Sequence, residues 1–362
     1  MSEYQVLLDG TPVDQEFYDL VTRLEVEENA DLPDAVSFQL PVAAKDGQLT
    51  WVGDERIGPY ANVAVVVTPD EGDQQCLFDG YVLSHKVHVP TGPSGATVDV
   101  WGQDASVLMG MTETVKEWSG MSDTDVAAQI FRSYGMRPAS ENSRESAPAH
   151  TEEGRTLMQR ASDLDLLRSL ARRTGRWFRV ACEQKPGDRV GWFAAPSLTG
   201  PPSFTVDVNT IDEHSVPVLD FSWDASRPTA VAARQASLSD DDEDGVSADT
   251  SDSGLPALAS RTLAQFTGKE RTTLLTAAAE AAELPARAAG LLREAAWFAR
   301  CEGTADVAML ATVPRVGMIA EVVGCGAMYS GKYLVWSVRH TITRQSHQAA
   351  LVLVRNAVGD AG

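Results

Sequence analysis

IGPYANVAVVV (residues 57–67) followed by CLFDGYVLSHKV (76–87), and VPRVGMIAEVVG (313–324) followed by MYSGKYLVWSVRHTI (328–342), are the stretches that decide how this chain is organised. Each pair reads as a glycine-led strand, a turn, an aromatic-x-Gly step and a long strand. The steps are Phe78-Asp79-Gly80 and Tyr329-Ser330-Gly331. A pattern that recurs at two distant places points to two related β units within one polypeptide.

Moving outward from the first stretch, YQVLLDGTPV (4–13) carries Asp9-Gly10 between apolar runs, a hairpin signal. The remaining strands to about residue 105 are short and evenly spaced, as in a small barrel or sandwich. The rhythm then changes. SDTDVAAQIFRSYG (122–135) puts Val126, Ala127, Ile130, Phe131 and Tyr134 on one helical face, with Ser122 and Asp125 as a capping box and Gly135 as the stop. SDLDLLRSLARRTGRW (162–177) repeats the design with Ser162, Asp165, the apolar stripe Leu167, Leu170 and Ala171, and Gly175. RWFRVACEQ (176–184) and RVGWFAAP (189–196) read as a hairpin after it, and 137–154 as a polar loop.

Strands return in SFTVDV (203–208) and VPVLDFSWD (216–224). SLSDDDEDGVSADTSDSG (237–254) reads as a solvated acidic loop. Helices are expected at about 270–283 and 285–300, with Pro285 at a first helical position and Ala288, Leu291, Leu292, Ala295 and Phe298 as the buried stripe. The chain closes with strands in 316–324, 332–343 and 348–357. The fold expected is therefore α+β and mainly β: a first β-barrel at 1–105, an α/β connecting segment at 106–200, and a second β-barrel at 201–362.

The 362 residues carry a formal charge of −21 and a pI near 4.6, which argues against binding a phosphate backbone across the surface. No apolar run reaches membrane-spanning length, and MSEYQVLLDG lacks a secretory pattern, so assembly in the cytoplasm is expected. Cys76, Cys182, Cys301 and Cys325 lie far apart and form no C-x-x-C pair. They are expected to be free thiols, mostly in cores.

Reactive constellations are sparse. Asp240, Asp242, Asp244 and Gly245 match the start of a calcium loop, but the twelfth position is Ser251 rather than a bidentate Glu. His340 sits in a strand and reads as structural. Asp163 and Asp165 are accounted for by capping a helix N-terminus. No nucleophile elbow or phosphate loop is present. The sequence thus offers no catalytic residue, no cofactor site and no metal site. The alternative is a cell-wall or carbohydrate-degrading enzyme that uses Glu302 and Asp306 as acid and base. Aromatic content of 7% and dispersed tryptophans weigh against a sugar cleft. The basic residues Arg160, Arg168, Arg172, Arg173 and Arg176 flank or lie on the 162–174 helix, with Arg160, Arg168 and Arg172 near one helical face. They are expected to be either solvated or in contact with an acidic neighbour, since Arg pairs carboxylates bidentately.

Taken in order, several of these stretches resemble one family, the baseplate hub of contractile phage tails and related injection systems. It includes the phage late-control D proteins and the hub part of valine-glycine-repeat (VgrG) spike proteins. The stretches are LFDGYV (77–82), VDVWGQDASVLM (98–109), SDTDVAAQIFRSYGM (122–136), LMQRASDLDLLRSLARRTGRWFRV (157–180), RAAGLLREAAWFARCEGTADV (287–307) and VGMIAEVVGCGAMYSGKYLVWSVRHTIT (316–343). The resemblance implies two similar barrels joined by an α/β segment, and three chains in a pseudo-sixfold ring. It also implies a structural adaptor between a hexameric inner tube and a separate trimeric spike protein, among other baseplate components and with no enzymatic role. A ring of such acidic chains is expected to carry its carboxylate excess on water-facing walls, the lumen included.

Overall fold

A computed structural model describes residues 3–45, 48–69, 72–91, 95–144, 148–150, 156–208, 216–235, 246–277, 283–310 and 312–360. The first part contains strands β1 (Glu3–Leu8), β2 (Thr11–Pro12), β3 (Arg23–Asn29), β4 (Ala35–Pro41), β5 (Asn62–Thr68), β6 (Gln75–His88) and β7 (Thr97–Asp104), with helix α1 (Gln15–Leu20) after β2. Asp9 and Gly10 both take positive φ, at 46° and 72°, which closes the expected hairpin. In β3 and β4 buried and part-exposed residues alternate strictly, so one sheet face meets a core and the other meets water.

The middle part pairs β8 (Glu113–Trp118) with β9 (Leu157–Ser162), and carries α2 (Asp123–Ser133), α3 (Asp163–Thr174) and the hairpin β10 (Trp177–Cys182) with β11 (Arg189–Ala194). Both helices start and stop as their sequences dictate. Ser162 accepts from the Asp165 amide at 3.2 Å, and Gly175 closes α3 in the left-handed region. Leu167, Leu170 and Ala171 are buried with Val126, Ile130, Phe131 and Phe193 in a core of their own.

The last part contains β12 (Phe204–Asp207), β13 (Leu219–Trp223), β14 (Ala230–Gln235), β15 (Thr272–Ala277), α4 (Leu284–Ala295), β16 (Ala299–Asp306), β17 (Ile319–Val323), β18 (Gly331–Ile342) and β19 (His347–Arg355). The expectation of helix from about 270 is corrected. Thr272–Ala277 is a strand parallel to β14, where β-branched threonines suit an extended backbone. Only α4 fills the second helical stretch, with Pro285 in its first turn, and Phe298 lies beyond its end. Helices α3 and α4 pack closely: a Cβ at Gly175 would lie 2.5 Å from the Gly290 carbonyl oxygen.

Thirteen strands form one sheet in the order β13-β16-β19-β18-β3-β4-β7-β6-β5-β1-β2, with β17 on the flank of β18 and β12 on β17. Among the described residues no ladder closes on itself, which corrects the expected pair of barrels. The physical reason is the antiparallel pairing of β18 with β3, from Ser337↔Asn29 to Ile342↔Leu24. That pairing spends an edge from each half on the other half. One core runs beneath both: Leu24, Val26 and Phe38 share it with Cys301, Tyr333, Val338 and Leu351.

The internal repeat is real at the level of strand order. Across the first half the ladder runs β3-β4-β7-β6-β5-β1; across the second it runs β13-β16-β19-β18-β17-β12. Both long strands carry a bulge against their C-terminal neighbour, between Val82 and Ser84 in β6 and between Val335 and Ser337 in β18. Aligning the bulges makes Leu83 equivalent to Trp336 and Ser84 to Ser337. Phe78 then falls on Gly331 and Gly80 on Tyr333, so the aromatic-x-Gly steps that suggested the repeat are offset by two residues. The last rungs differ: β1 runs antiparallel to β5, whereas β12 runs parallel to β17.

Candidate assembly interface

The middle part is fastened to both halves of the sheet by buried charges. Arg179 in β10 donates to both carboxylate oxygens of Asp34, at 3.3 and 3.1 Å, and lies 3.6 Å from Glu28. Glu28, in β3, also pairs with Arg315 and accepts from the Val316 amide at 3.0 Å. Asp104 accepts from the amides of Asp34 and Ser106, each at 2.7 Å. Burial pushes the Asp34 carboxyl up to about 7, with Arg179 opposing and the Glu28 and Asp104 charges adding to the rise. Burial raises Asp104 as well.

A second fastening joins β6 to the β10–β11 hairpin. Arg189 grips Asp79 bidentately at 2.8 and 3.0 Å, while Asn62 and the Gly187 amide donate to the same carboxylate. Burial alone would raise the Asp79 carboxyl, yet these donors hold it below the usual range. Beside it, Cys76 and Cys182 form a disulfide, with Cα atoms 5.5 Å apart. This corrects the expectation of four free thiols. The two cysteines are 106 residues apart, so only the docking of the hairpin onto β6 brings them together; Cys301 and Cys325 are free.

The residues weighed for chemistry do not converge. Asp240, Asp242, Asp244 and Gly245 lie outside the described residues. Glu302 and Asp306 both face outward from β16, four residues apart on one strand, hence roughly 13 Å. That exceeds the ~5–9.5 Å of glycosidase carboxylate pairs. Glu302 pairs with Arg300, and Asp306 accepts from Gln348 at 3.3 Å. Asp165 caps α3, and Asp163 accepts from Gln159 and Tyr134. His340 is buried between His347, at 2.9 Å, and the Pro314 carbonyl, at 3.1 Å. Burial lowers His340 well below its ordinary range and His347 to about 4. Among the described residues no three His, Cys, Asp or Glu side chains are grouped as a metal set.

Arg160 is not on the helical face with Arg168 and Arg172; it lies in β9 opposite Val115. Arg173 reaches back to Asp123, and Arg176 donates to Thr124 at 2.9 Å. Arg168 and Arg172 line a shallow depression with Leu32, Tyr60 and Met111, which are 60%, 52% and 51% exposed.

What the structure does assemble is a broad polar sheet face with two open edges. Opposite residues run across seven strands in the row Ser84–Trp101–Ser37–Glu25–Thr341–Gln348–Asp306. At one end, among the described residues, β13 pairs only with β16. Near the other end β6 outruns β5, whose pairing stops at Tyr81, so among the described residues Ser84–His88 pairs only with β7.

This arrangement is the fold of phage tail proteins. The tail protein from Neisseria meningitidis MC58 superposes with a TM-score of 0.68 at 14% identity, over 98% of this chain and 97% of that one. The prophage MuSo2 43 kDa tail protein from Shewanella oneidensis gives 0.67 at 14% identity, over 99% and 100%. The E. coli c3393 protein, a component of the type VI secretion system with structural similarity to T4 tail proteins gp27 and gp5, gives 0.54 at 13%, over 94% and 76%. The chain belongs to the family described as the Alg8 N-terminal domain, whose model matches residues 2–344. That is a different family from the late-control D and valine-glycine-repeat hubs that the sequence resembles. No curated protein sequence matches it.

Proposed function

We propose that this chain is a structural ring subunit of a contractile phage tail or phage-tail-like injection system. It acts as the baseplate hub that adapts a hexameric inner tube to a separate trimeric spike protein, and it has no catalytic role. Three copies form the ring, each contributing two equivalent sheet units, so that six units meet the tube while threefold symmetry meets the spike. Assembly takes place in the cytoplasm, and the finished subunit resides in the tail particle with other baseplate components.

The observation that carries this reading is the duplicated strand order, in which the edge used to join the halves recurs, open, at both ends. A self-similar chain with complementary free edges adds copies head to tail, and such contacts make rings when the rotation closes. The full-length likeness to tail proteins supports the same reading.

On this reading the polar face lines the bore, since the side chains of its central row are exposed or part-exposed. It mixes Glu25, Glu27, Asp99, Asp220, Glu302 and Asp306 with Arg23, Lys86, Arg300 and Arg339, and several of these are paired. A bore wall so built is of mixed sign, with six carboxylates to four cationic side chains among these residues. Imaging of the assembled particle tests the proposal. Three copies on the axis between tube and spike are expected; two copies, or density away from the axis, would overturn it.

A further inference from the structure

We propose that the depression between Leu32, Tyr60, Met111 and the arginines of α3 docks a segment of a different protein, one that carries carboxylates beside a large apolar side chain. The proposal rests on the ring reading above in one respect: copies of this chain have the sheet edges for one another, which leaves this depression for another occupant.

Separate pieces of the chain build the site. Leu32 comes from the turn between β3 and β4, Tyr60 from the loop before β5, and Met111 follows the short turn Ala105–Gly110. Arg168 and Arg172 stand four residues apart on α3, hence on one helical face. The space they enclose is about 420 Å³. Leu32, Tyr60 and Met111 are each more than half exposed. Single exposed apolar side chains are ordinary. Three in one concavity, beside two guanidinium groups, make the composition of an interaction site, where Tyr, Met and Arg are enriched.

Tyr60 adds an independent sign. Its φ of 62° lies in the left-handed region that residues with a bulky side chain rarely adopt. The turn is held by the Tyr60 amide donating to the Val82 carbonyl at 2.8 Å and the Ala61 amide donating to the Gly58 carbonyl at 3.1 Å. The fold thus keeps a strained aromatic residue whose ring its own packing leaves half open, and strain of that kind gathers at ligand contacts.

Charge names the partner. The whole chain has 51 Asp and Glu to 30 Lys and Arg, whereas this depression sets Arg168 and Arg172 against Asp31 alone. Nearby arginines are spent inside the subunit: Arg173 pairs with Asp123 and Arg179 with Asp34. Among the described residues neither Arg168 nor Arg172 has a carboxylate within ion-pair distance, and Arg172 meets Asp31 and Glu294 only at longer range. Guanidinium groups so placed are open to bidentate pairing with carboxylates, while the apolar side chains between them take an aliphatic or aromatic anchor. A nucleic acid would meet only these two cations within the field of a chain of charge −21.

The test replaces Leu32 by the photo-reactive p-benzoylphenylalanine in the full chain, expressed and irradiated in the native cells. One main adduct with another protein is expected, and mass spectrometry should place the joined residue in a segment rich in Asp and Glu beside a large apolar side chain. Arg168→Gln with Arg172→Gln should cut the adduct yield by about tenfold or more. Arg168→Lys with Arg172→Lys keeps both charges and should retain most of it. Thermal unfolding of both purified variants should match the parent, since neither side chain is ion-paired within the subunit. No adduct, an adduct on a neutral or basic segment, an adduct with a second copy of this chain, or a yield indifferent to the Gln pair would each overturn the docking site. Particle imaging decides the ring reading separately.

Discussion

The joint inside the chain and the two edges outside it are built on the same ladder but filled with different residues. Where β3 meets β18 the core-facing positions are Leu24, Val26, Val338 and Ile342, fully sequestered with the buried His340. At the outer edges the corresponding positions carry His85, Val87, Val89, Leu219, Phe221 and Trp223. The inner joint forms as the chain folds and never meets water, so it tolerates a sealed lining whose polar members, Glu28 and His340, are hydrogen-bonded. An open edge must remain soluble until another strand arrives. Lys86, His85 and His88 on one side, and the shortness of β13 on the other, discourage indiscriminate pairing. The difference separates what folds the subunit from what is available to join subunits.

Substitutions can break that contrast, and the largest effect is expected where the middle part meets both halves. Arg179→Met leaves Glu28, Asp34 and Asp104 without their shared cation in a buried site. Removing one partner from such a cluster costs about 3–5 kcal/mol. Urea unfolding followed by fluorescence measures it; a loss below about 1 kcal/mol would mean that the cluster is solvated.

A matched pair of truncations compares the joints directly. Leu24→Ala empties a fully buried position and should cost about 2–5 kcal/mol. Leu219→Ala, at the equivalent rung of the open edge, should cost the isolated subunit about 1 kcal/mol or less, because the side chain is only half-buried there. Equal losses in the two variants would contradict the division into a folding joint and an assembly edge.

The disulfide sharpens the comparison from another side, because it fastens the first half alone. Cys182→Ser should lower stability by about 2–4 kcal/mol relative to the oxidised chain. A reducing agent should lower the wild-type Tm to that of the variant and leave the variant unmoved. A wild-type Tm insensitive to reductant would count against the bridge.

A further effect comes from acid. His347 has its pKa lowered from 6.5 to about 4 by burial, so the unfolded chain takes up the proton first as pH falls. Its contribution is complete above pH 6.5 and is lost as pH drops through about 4, at up to about 1.4 kcal/mol per pH unit. Asp34, raised from 3.8 to about 7, acts with the opposite sign over its own window, since the folded state holds that proton more tightly. His347→Gln should therefore leave a shallower acid loss, read from urea midpoints at stepped pH. An unchanged slope would show that His347 does not titrate with unfolding.

Much of the local structure could be read from the chain alone. The caps at Ser122 and Ser162, the glycine stops, the Asp9-Gly10 turn and the apolar stripe of α3 depend on residues a few positions apart, and each formed as its spacing dictates. The 272–277 strand misled because short apolar and threonine-rich runs satisfy either period until a neighbour selects one. The edges that matter for assembly left only a faint trace, LEVEE at 24–28 against LDFSW at 219–223, which is too short to align without the bulges.

By itself the sequence determined that the chain is mainly β, that it repeats itself, and that a helical segment interrupts the repeat. Only the tertiary structure decided that the halves share one open sheet, that Cys76 meets Cys182, that Arg179 gathers carboxylates from β3, from the turn before β4 and from β7, and which edges remain unpaired. The reason is physical. Caps, turns and periodicity are encoded by neighbours along the chain. Ladder register, disulfide partners and free edges depend on which distant strands arrive side by side, and burial of the common core decides that.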